Sequence, residues 1–317
     1  MADVHQTERL APDDAGIARA AELLRSGGLV SFPTETVYGL GGVAMDDTAV
    51  ARIFEAKGRP HFNPLIAHVP DLDAVARIAE LSGRAHDLAL AFWPGPLTLV
   101  LPTRTGAGLS PLVSAGLPTV AVRVPDHPLA QRLLRAVGRP VVAPSANPSG
   151  RISPTEADHV LAGLGGRIEA VLDGGRCAVG VESTIVGFNP EPVLLRPGGL
   201  PTEAIEDALG TRLARRTEGA QITAPGQLAS HYAPDARVRL DAETARPGER
   251  LLGFGPVEGE MNLSPAGDLV EAAANLFRML HALDRAGNAP IAVAPVPDIG
   301  LGRAINDRLR RAAAPRD

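Results

Sequence analysis

Short apolar runs alternate with helical stretches along most of the chain, and this alternation restricts the possible folds more than any other feature of the sequence. Runs typical of buried strands lie at Leu29–Phe32, Leu65–Val69, Leu97–Leu101, Thr119–Val124, Val141–Ala143, Ala170–Leu172, Thr184–Phe188 and Val193–Leu195. Stretches with helical spacing cover 13–26, 46–57, 73–81, 84–92, 127–137, 155–162 and 202–209. Because strands and helices are interspersed and some strands follow each other directly, the pattern predicts an α/β or α+β fold with a twisted mixed sheet.

The alternation ends near residue 210, where the character of the chain changes. The stretch 211–236 contains Arg215-Arg216, Pro225-Gly226 and Pro234 and shows no periodicity. At roughly 25 residues it is longer than an ordinary connection inside a compact domain, which predicts a linker. Strand-like and helical segments resume at Arg237–Leu240, Leu251–Phe254, 267–285, Ile291–Ala294 and 302–313. We therefore predict a first domain over 1–210, a linker over 211–236, and a smaller Rossmann-like α/β domain over 237–317.

Composition excludes several classes of protein. The formal net charge is −5, whereas a general nucleic-acid coat protein carries a basic excess. The single cysteine excludes an internal disulfide framework and a Cys-rich zinc site. No run reaches the ~18 consecutive apolar residues of a membrane span, and the first residues lack the pattern of a signal peptide. We expect a cytoplasmic protein.

The basic residues are divided very unevenly between the two types. Of 31 basic residues, 30 are arginines and only Lys57 is a lysine. The chain uses arginine at nearly every basic position, so the one lysine has two interpretations. Either the position requires a compact ammonium, or the lysine is retained by chance on a solvated surface. The count alone does not separate these two interpretations.

Five polar clusters follow predicted strands or lie on turns rich in glycine and proline, where functional sites are usually built. They are Pro33–Gly41, Lys57–Pro60 with Asn63 and His68, Ala143–Asn147, Arg123, and Glu182–Thr184 with Arg196. Each has an ordinary structural explanation: hydroxyls that cap a turn, cations at a helix C-terminus, an Asx turn, or an arginine in a surface salt bridge. The helix-end explanation accounts for a cation, but not for the only lysine being there.

Taken together, the clusters favour a binding site. Lys57 and Arg59 can both reach one anion, the lysine as a point charge and the arginine as a bidentate fork. Arg123, at a strand end, can hold a carboxylate. The sequence offers no evident nucleophile, and Gly39-x-Gly41-x-x-Ala44 does not open a helix as a dinucleotide fingerprint would. The set is typical of a site for a nucleotide and a small zwitterion, with catalysis by positioning and charge neutralisation.

These motifs resemble a known family. PTETVYGL, KGRP followed by NPLI and His68, the PSAN loop with its following Ser-Pro-Thr, ESTI and LRPG are similar, in order over 13–209, to the YrdC-like threonylcarbamoyl-AMP synthases. Pro225-Gly226 with His231–Pro234 resembles the connector of the family's long, two-domain form, and 300–309 resembles the end of its C-terminal domain. The resemblance implies that the first domain is catalytic and YrdC-like.

The resemblance also implies a reaction and its partners. The family makes L-threonylcarbamoyladenylate from L-threonine, bicarbonate or CO2, and ATP, and releases pyrophosphate, which makes it a nucleotidyltransferase. It uses Mg²⁺ with ATP and no organic prosthetic group, and we expect the phosphates rather than protein side chains to hold the metal. The product serves the threonylcarbamoyladenosine modification of tRNA beside the anticodon, through a separate transferase complex. The net negative charge fits little direct tRNA binding, and no membrane partner is implied.

Individual site residues follow from the same resemblance. The positions matched to ATP contacts are Lys57, Arg59, Asn63, Thr119, Ser145, Asn147, Ser153, Arg196 and Tyr232. The positions matched to threonine contacts are Thr36, His68, Arg123, Ala143 and Ser183. Lys57 and Arg59 are assigned the catalytic role of offsetting the repulsion between a carbamate and the triphosphate.

The implied chemistry requires no covalent intermediate on the protein. The amine of threonine takes up bicarbonate or CO2, and the resulting N-carboxylate attacks the α-phosphorus of ATP. We expect Tyr232 and the linker to fold over the phosphates as a lid that excludes water, with a mobile linker and one packed tyrosine as the alternative. Two other functions stay open: a YrdC-like enzyme that forms carbamoyl-adenylate, and a non-catalytic relative that binds double-stranded RNA.

Overall fold

The computed structural model describes residues 6–188, 191–215, 223–226, 230–287 and 289–315. The strands in these ranges are β1 (Glu8–Leu10), β2 (Val30–Phe32), β3 (Gly39–Val43), β4 (Ile66–His68), β5 (Leu97–Pro102), β6 (Thr119–Arg123), β7 (Val141–Val142), β8 (Ala170–Leu172), β9 (Thr184–Phe188), β10 (Pro192–Arg196), β11 (Ala214–Arg215), β12 (Val238–Arg239), β13 (Arg250–Gly253), β14 (Met261–Asn262) and β15 (Ile291–Val293). The helices are α1 (Asp14–Arg25), α2 (Asp47–Lys57), α3 (Leu72–Ile78), α4 (Gly83–Phe92), α5 (Pro111–Ser114), α6 (Pro128–Val137), α7 (Ala157–Leu164), α8 (Thr202–Leu209), α9 (Leu269–Arg285) and α10 (Gly302–Ala313).

Two sheets organise these elements. Eleven strands form one mixed sheet in the order β1-β8-β2-β3-β7-β4-β6-β5-β9-β10-β11. The second sheet has the order β12-β15-β13-β14, and all of its pairings are parallel. The predicted fold class, a mixed sheet followed by a smaller α/β unit, is confirmed. None of the helices in the described ranges is long and apolar enough to cross a membrane.

Helix α2 delivers the Lys57–Pro60 cluster to the sheet. The Asp46 carboxylate accepts the backbone N–H groups of Thr48 and Ala49, which satisfies donors that the first turn leaves free. Gly58 ends the helix in the left-handed conformation, with φ 60°, which favours glycine. Lys57 is therefore the last helical residue, and Arg59 lies on the turn that leads towards β4.

The sequence does not predict β1, β3, α5, β11 or β14, and β3 shows why. Its glycines lie against neighbouring strands so closely that side chains do not fit. A Cβ on Gly39 would lie 2.9 Å from Ala143 Cβ, and one on Gly41 would lie 2.9 Å from the Phe32 ring. A glycine-rich strand has neither alternation nor β-branched residues, so its pattern is hidden. These glycines serve strand packing rather than a dinucleotide loop.

The two sheets share part of one hydrophobic core. Val37 and Val181, which flank strands of the large sheet, belong to the same buried cluster as Phe277 and Leu280 of α9. Tyr232, from the connection between the sheets, is buried in this cluster as well. The second sheet and its helices are thus packed against the edge of the large sheet where the motif residues lie.

Candidate active site

A narrow cleft lies where strand ends of the large sheet meet the connecting segment. His68 and Arg123 are paired in register at the ends of β4 and β6, so both side chains reach it from adjacent strands. Nine of the predicted site residues line this cleft: Thr36, Arg59, His68, Arg123, Ala143, Ser145, Ser183, Arg196 and Tyr232. The five positions matched to threonine contacts are all among them.

Arg123 is fixed at the cleft by three acceptors. Its Nη2 donates to Glu35 Oε1 at 2.5 Å, its Nη1 to Thr36 Oγ1 at 2.9 Å, and its Nε to the Gly95 carbonyl at 3.3 Å. A guanidinium has five N–H donors. Counting partners in the described part of the chain, two donors are left for a ligand, which suits the two oxygens of a carboxylate.

Neutral polar groups lie beside Arg123. His68 Nδ1 is 3.1 Å from the Ile66 carbonyl, so Nδ1 carries the proton and Nε2 is left as an acceptor. Burial, and then the charge of Arg123, lower the pKa of His68 to about 3, which keeps the ring neutral. Ser183 Oγ lies 2.7 Å from Thr98 Oγ1. These groups are suited to hydrogen bonds with the polar groups of a ligand held by Arg123.

Two further arginines supply positive charge to the cleft. Arg59 Nη2 donates to the Pro64 carbonyl at 2.9 Å, and Arg196 donates from Nε and Nη2 to the Ser183 carbonyl at 3.1 and 2.8 Å. Burial lowers the pKa of both groups, to about 10 for Arg59, where the neighbouring Arg196 contributes as well. Carbonyl partners orient a guanidinium without neutralising it. This part of the cleft is therefore suited to a polyanion.

Lys57 lies behind this surface. Its Nζ donates to the main-chain carbonyls of Ser145 and Asn147, at 2.6 and 2.5 Å. The Asn147 amide Nδ2 donates in turn to the carbonyls of Pro148 and Arg151, at 2.8 and 2.9 Å. Burial and the charge of Arg59 hold the pKa of Lys57 well below its usual range. The predicted lysine and asparagine thus support the loop that presents Ser145.

The remaining predicted residues surround the lining. Asn63 is fully buried, and neither its Oδ1 nor its Nδ2 has a partner in the described ranges, which is rare for a buried amide and leaves both atoms for a ligand or water. The Ser153 hydroxyl donates to Glu182, which lines the cleft. Thr119 is at the opposite end of β6 from Arg123 but, by strand alternation, on the same face of the sheet.

The connecting segment lies over the arginines. Tyr232 is buried with φ 63°, a left-handed conformation that is strained for a tyrosine. A Cβ on Gly226 would lie 2.6 Å from Tyr232 Oη and 2.8 Å from Arg196 Cδ, so the tyrosine hydroxyl, the glycine backbone and Arg196 are in close contact. The described linker residues around Gly226 and Tyr232 thus cover the cleft.

The sequence interpretation missed three residues of this site. Glu182 was noted only as part of a polar cluster, yet it lines the cleft and accepts from Ser153 and Arg308. His231 lines the cleft beside Tyr232, and burial together with nearby cations lowers its pKa well below its ordinary value. Arg308, on α10, lies with its guanidinium carbon 5.0 Å from the Tyr232 ring centroid. Its position within the segment 300–309 was the only available signal.

Comparisons with known proteins show what the chain is similar to. A family profile for the Sua5, YciO and YrdC proteins, described as "Telomere recombination", matches residues 22–198, and one described as "Threonylcarbamoyl-AMP synthase, C-terminal domain" matches 200–314. A threonylcarbamoyl-AMP synthase of Bacillus subtilis is 42% identical over 99% of this chain and 97% of its own length, and one of Pyrococcus abyssi is 43% identical over 93% of each. A crystal structure of P. abyssi Sua5 complexed with L-threonine is similar with a TM-score of 0.87 and 40% identity, and the match covers 97% of each chain.

The chain belongs to the Sua5/YciO/YrdC family, in its long form with the threonylcarbamoyl-AMP synthase C-terminal domain. The family predicted from the motifs is confirmed.

Proposed function

We propose that this protein is an L-threonylcarbamoyladenylate synthase, which converts L-threonine, bicarbonate or CO2, and MgATP to threonylcarbamoyl-AMP and pyrophosphate. The observation that carries the proposal is the division of one cleft into two halves. Arg123 presents free N–H donors beside neutral His68, and Arg59 and Arg196 present buried positive charge. The first half fits an amino acid and the second a nucleotide, and full-length relatives carry the corresponding name.

In the amino-acid half, the proposed contact of Arg123 is the threonine carboxylate. His68 Nε2, as an acceptor, and the Ser183 hydroxyl are suited to the ammonium and the hydroxyl of threonine. After the ammonium loses a proton to solvent, its nitrogen forms a bond to the carbon of CO2 and releases a second proton to solvent, or forms that bond to the carbon of bicarbonate with loss of water. The product is a carbamate anion that the fixed carboxylate keeps in place.

In the nucleotide half, the proposed contacts of Arg59 and Arg196 are triphosphate oxygens, with Tyr232 covering them. A carbamate oxygen forms a bond to the α-phosphorus, the bond from that phosphorus to the bridging oxygen breaks, and pyrophosphate leaves with Mg²⁺. The main obstacle is repulsion between two anions, which fixed positive charge reduces. The buried unpartnered amide of Asn63 is suited to a nucleotide hydrogen bond.

The magnesium ion enters as part of MgATP. In the described ranges no cluster of three or more His, Cys, Asp or Glu side chains could form a dedicated metal site. Glu182, a carboxylate that lines the cleft, already accepts from Ser153 and Arg308. Phosphate oxygens are therefore the proposed ligands of the metal.

Downstream, we propose that the product serves tRNA threonylcarbamoyladenosine modification through a separate transferase complex in the cytoplasm. A mixed carboxylic–phosphoric anhydride is an activated acyl donor, so a transferase must take it up before water does. The net charge of −5 supports little direct binding of tRNA by this chain.

The test is ATP-dependent pyrophosphate release, assayed with and without threonine and with and without bicarbonate. We expect release only when both are present, and much less with serine or alanine in place of threonine. Release that depends on carbamoyl phosphate instead would assign a carbamoyl-adenylate-forming enzyme. No release, combined with retention of double-stranded RNA on a filter without ATP, would assign a non-catalytic RNA-binding protein.

A further inference from the structure

The only lysine of the chain is buried, and its amino group is already hydrogen-bonded to protein carbonyls, which a contact with phosphate would not require. Lys57 is 3% exposed and ends α2, and Ser145, whose carbonyl it contacts, forms the cleft surface in front of it. Its two hydrogen bonds, at 2.6 and 2.5 Å, go to main-chain carbonyls two residues apart in one loop. Both carbonyl oxygens are thereby engaged by the one amino group.

A second contact ties the same loop to the end of the helix. The Ser149 N–H donates to the Lys57 carbonyl at 2.7 Å, so side chain and backbone of one residue hold both ends of the segment 145–149. On the cleft side, Ser145 forms a β-bridge with Gly39. The loop is thus held by α2 on one side and by β3 on the other, and Lys57 supplies the contacts from α2.

We propose that Lys57 is a positioning residue, which fixes the Ser145–Asn147 loop against the nucleotide half of the cleft instead of contacting the triphosphate itself. This inference rests on the proposed function and changes the role that the family motif gave to the lysine. Fixed positive charge at the phosphates then comes from Arg59 and Arg196, which line the cleft. Lys57 acts on ATP through the loop that presents Ser145.

This role also explains why the position is a lysine in a chain that otherwise uses arginine. Two carbonyls converge on a single nitrogen here, and a compact amino group donates to both from one point. A guanidinium is planar and wider, and in this buried space it would push the loop towards the cleft. We therefore expect Lys57→Arg to be as impaired as Lys57→Met, although it keeps the charge.

Because the chain has one lysine, its side chain can be observed alone. Protein labelled with ¹⁵N-lysine gives a single Nζ signal. In the ligand-free protein we expect this signal to be protected from hydrogen exchange and to be little changed by a non-hydrolysable ATP analogue with Mg²⁺. A signal that exchanges freely without nucleotide and becomes protected only with the analogue would overturn the proposal.

A double-mutant cycle provides the second test. If Lys57 acts only through the loop, Lys57→Met and Ser145→Ala should each raise the KM for ATP about tenfold, and the double variant should be little worse than either, since interacting residues are non-additive. Arg59→Met combined with Lys57→Met should be additive by comparison. If the losses from Lys57→Met and Ser145→Ala instead add fully, and appear in kcat rather than in the KM for ATP, the positioning role is refuted. Wild-type protein without threonine-dependent pyrophosphate release would refute the proposed function but leave the ¹⁵N result interpretable.

Discussion

Two buried arginine–glutamate pairs border the cleft, and the chain brings them together in different ways. Arg123 and Glu35 both lie in the part of the chain that forms the large sheet, and their contact of 2.5 Å joins the end of β6 to the turn after β2. Arg308 and Glu182 are 2.8 Å apart, but Arg308 comes from α10 and Glu182 from the loop before β9. The first pair is internal to the large-sheet region, and the second joins it to the C-terminal region.

The remaining atoms of the two carboxylates show what each pair can do. Glu182 accepts on both oxygens, from Ser153 and from Arg308. Glu35 Oε2 has no partner in the described ranges, and Arg123 keeps two N–H donors. A pair with spare hydrogen-bonding capacity can exchange partners with a substrate. In the second pair only Arg308 Nη2 lacks a partner in the described ranges, while the Glu182 carboxylate is fully engaged and holds its surroundings in place. This difference between the two carboxylates is the one that we expect experiments to reveal.

The largest effect should follow from removing Arg308. Arg308→Met leaves the Glu182 charge buried without its partner and removes the guanidinium beside the Tyr232 ring. Breaking a buried ion pair costs about 3–5 kcal/mol, so we expect a loss of that order in the free energy of unfolding. Most turnover should also be lost because Tyr232 loses its support. Urea denaturation and pyrophosphate release measure the two effects.

Two variants make the result specific. Arg310→Met changes an exposed arginine of the same helix and should leave both quantities nearly unchanged. Arg308→Met combined with Glu182→Leu removes both charges of this pair, while Asp307, the other carboxylate at Arg308, keeps its contact with Arg311. The double variant should regain much of the stability without regaining activity. A folded Arg308→Met protein with normal turnover would show that this pair does not support the site.

A more selective effect on substrate binding is expected at the other pair, where Arg123→Ala also leaves the buried Glu35 carboxylate without its partner and should lower stability as Arg308→Met does. Arg123→Ala removes the proposed partner of the threonine carboxylate, so the KM for threonine should rise by two orders of magnitude, roughly the loss of two hydrogen bonds to a charged group. The KM for ATP should change only a few-fold. Glu35→Gln, which keeps the shape of the pair, should affect threonine binding far less. An unchanged KM for threonine in Arg123→Ala would remove this arginine from the site.

The fold was predictable where the sequence pattern is local. The Asp46 cap and the left-handed Gly58 define α2, and the apolar runs mark most of the strands. Strand β3 was not predictable because its glycines are required by contacts with Phe32 of β2 and with Ala143, which follows β7. A close approach between strands leaves no periodic trace in the sequence of either one.

The candidate site was likewise predictable where its residues lie in local sequence motifs. The threonine-matched residues lie in short motifs at strand ends, and all of them line the cleft. Arg308 was not predictable, because its role depends on a contact with a carboxylate 126 residues away in the chain. For Lys57 the sequence indicated that the position is special, because it holds the only lysine. The sequence did not indicate the role, since the proposed support of a loop rests on the hydrogen-bond geometry.

The smallest expected effect is on the pH dependence of stability, and it again compares the large-sheet region with the C-terminal region. His159 on α7 and His281 on α9 are stacked with ring centroids 3.9 Å apart, and His281 Nε2 lies 3.2 Å from the Ser153 carbonyl. Burial, and then neighbouring positive charge, lower the pKa of His159 to about 3, while burial lowers that of His281 to about 4. His68, beside Arg123, has its pKa lowered to about 3 for the same reasons.

The direction of the pH effect on stability follows from proton uptake by the unfolded chain. Below the unfolded pKa of about 6.5, the unfolded chain binds protons that the folded chain does not, so stability falls as pH falls from about 6.5 towards 4. His281→Gln should remove the share of this loss that His281 contributes, roughly 2 kcal/mol at pH 5, and leave the shares of His159 and His68. Urea denaturation at pH 7 and pH 5 measures it. A variant whose pH dependence equals that of the wild type would mean that His281 is protonated in the folded protein, and the contact between the two helices would then tolerate the charge that its burial is expected to exclude.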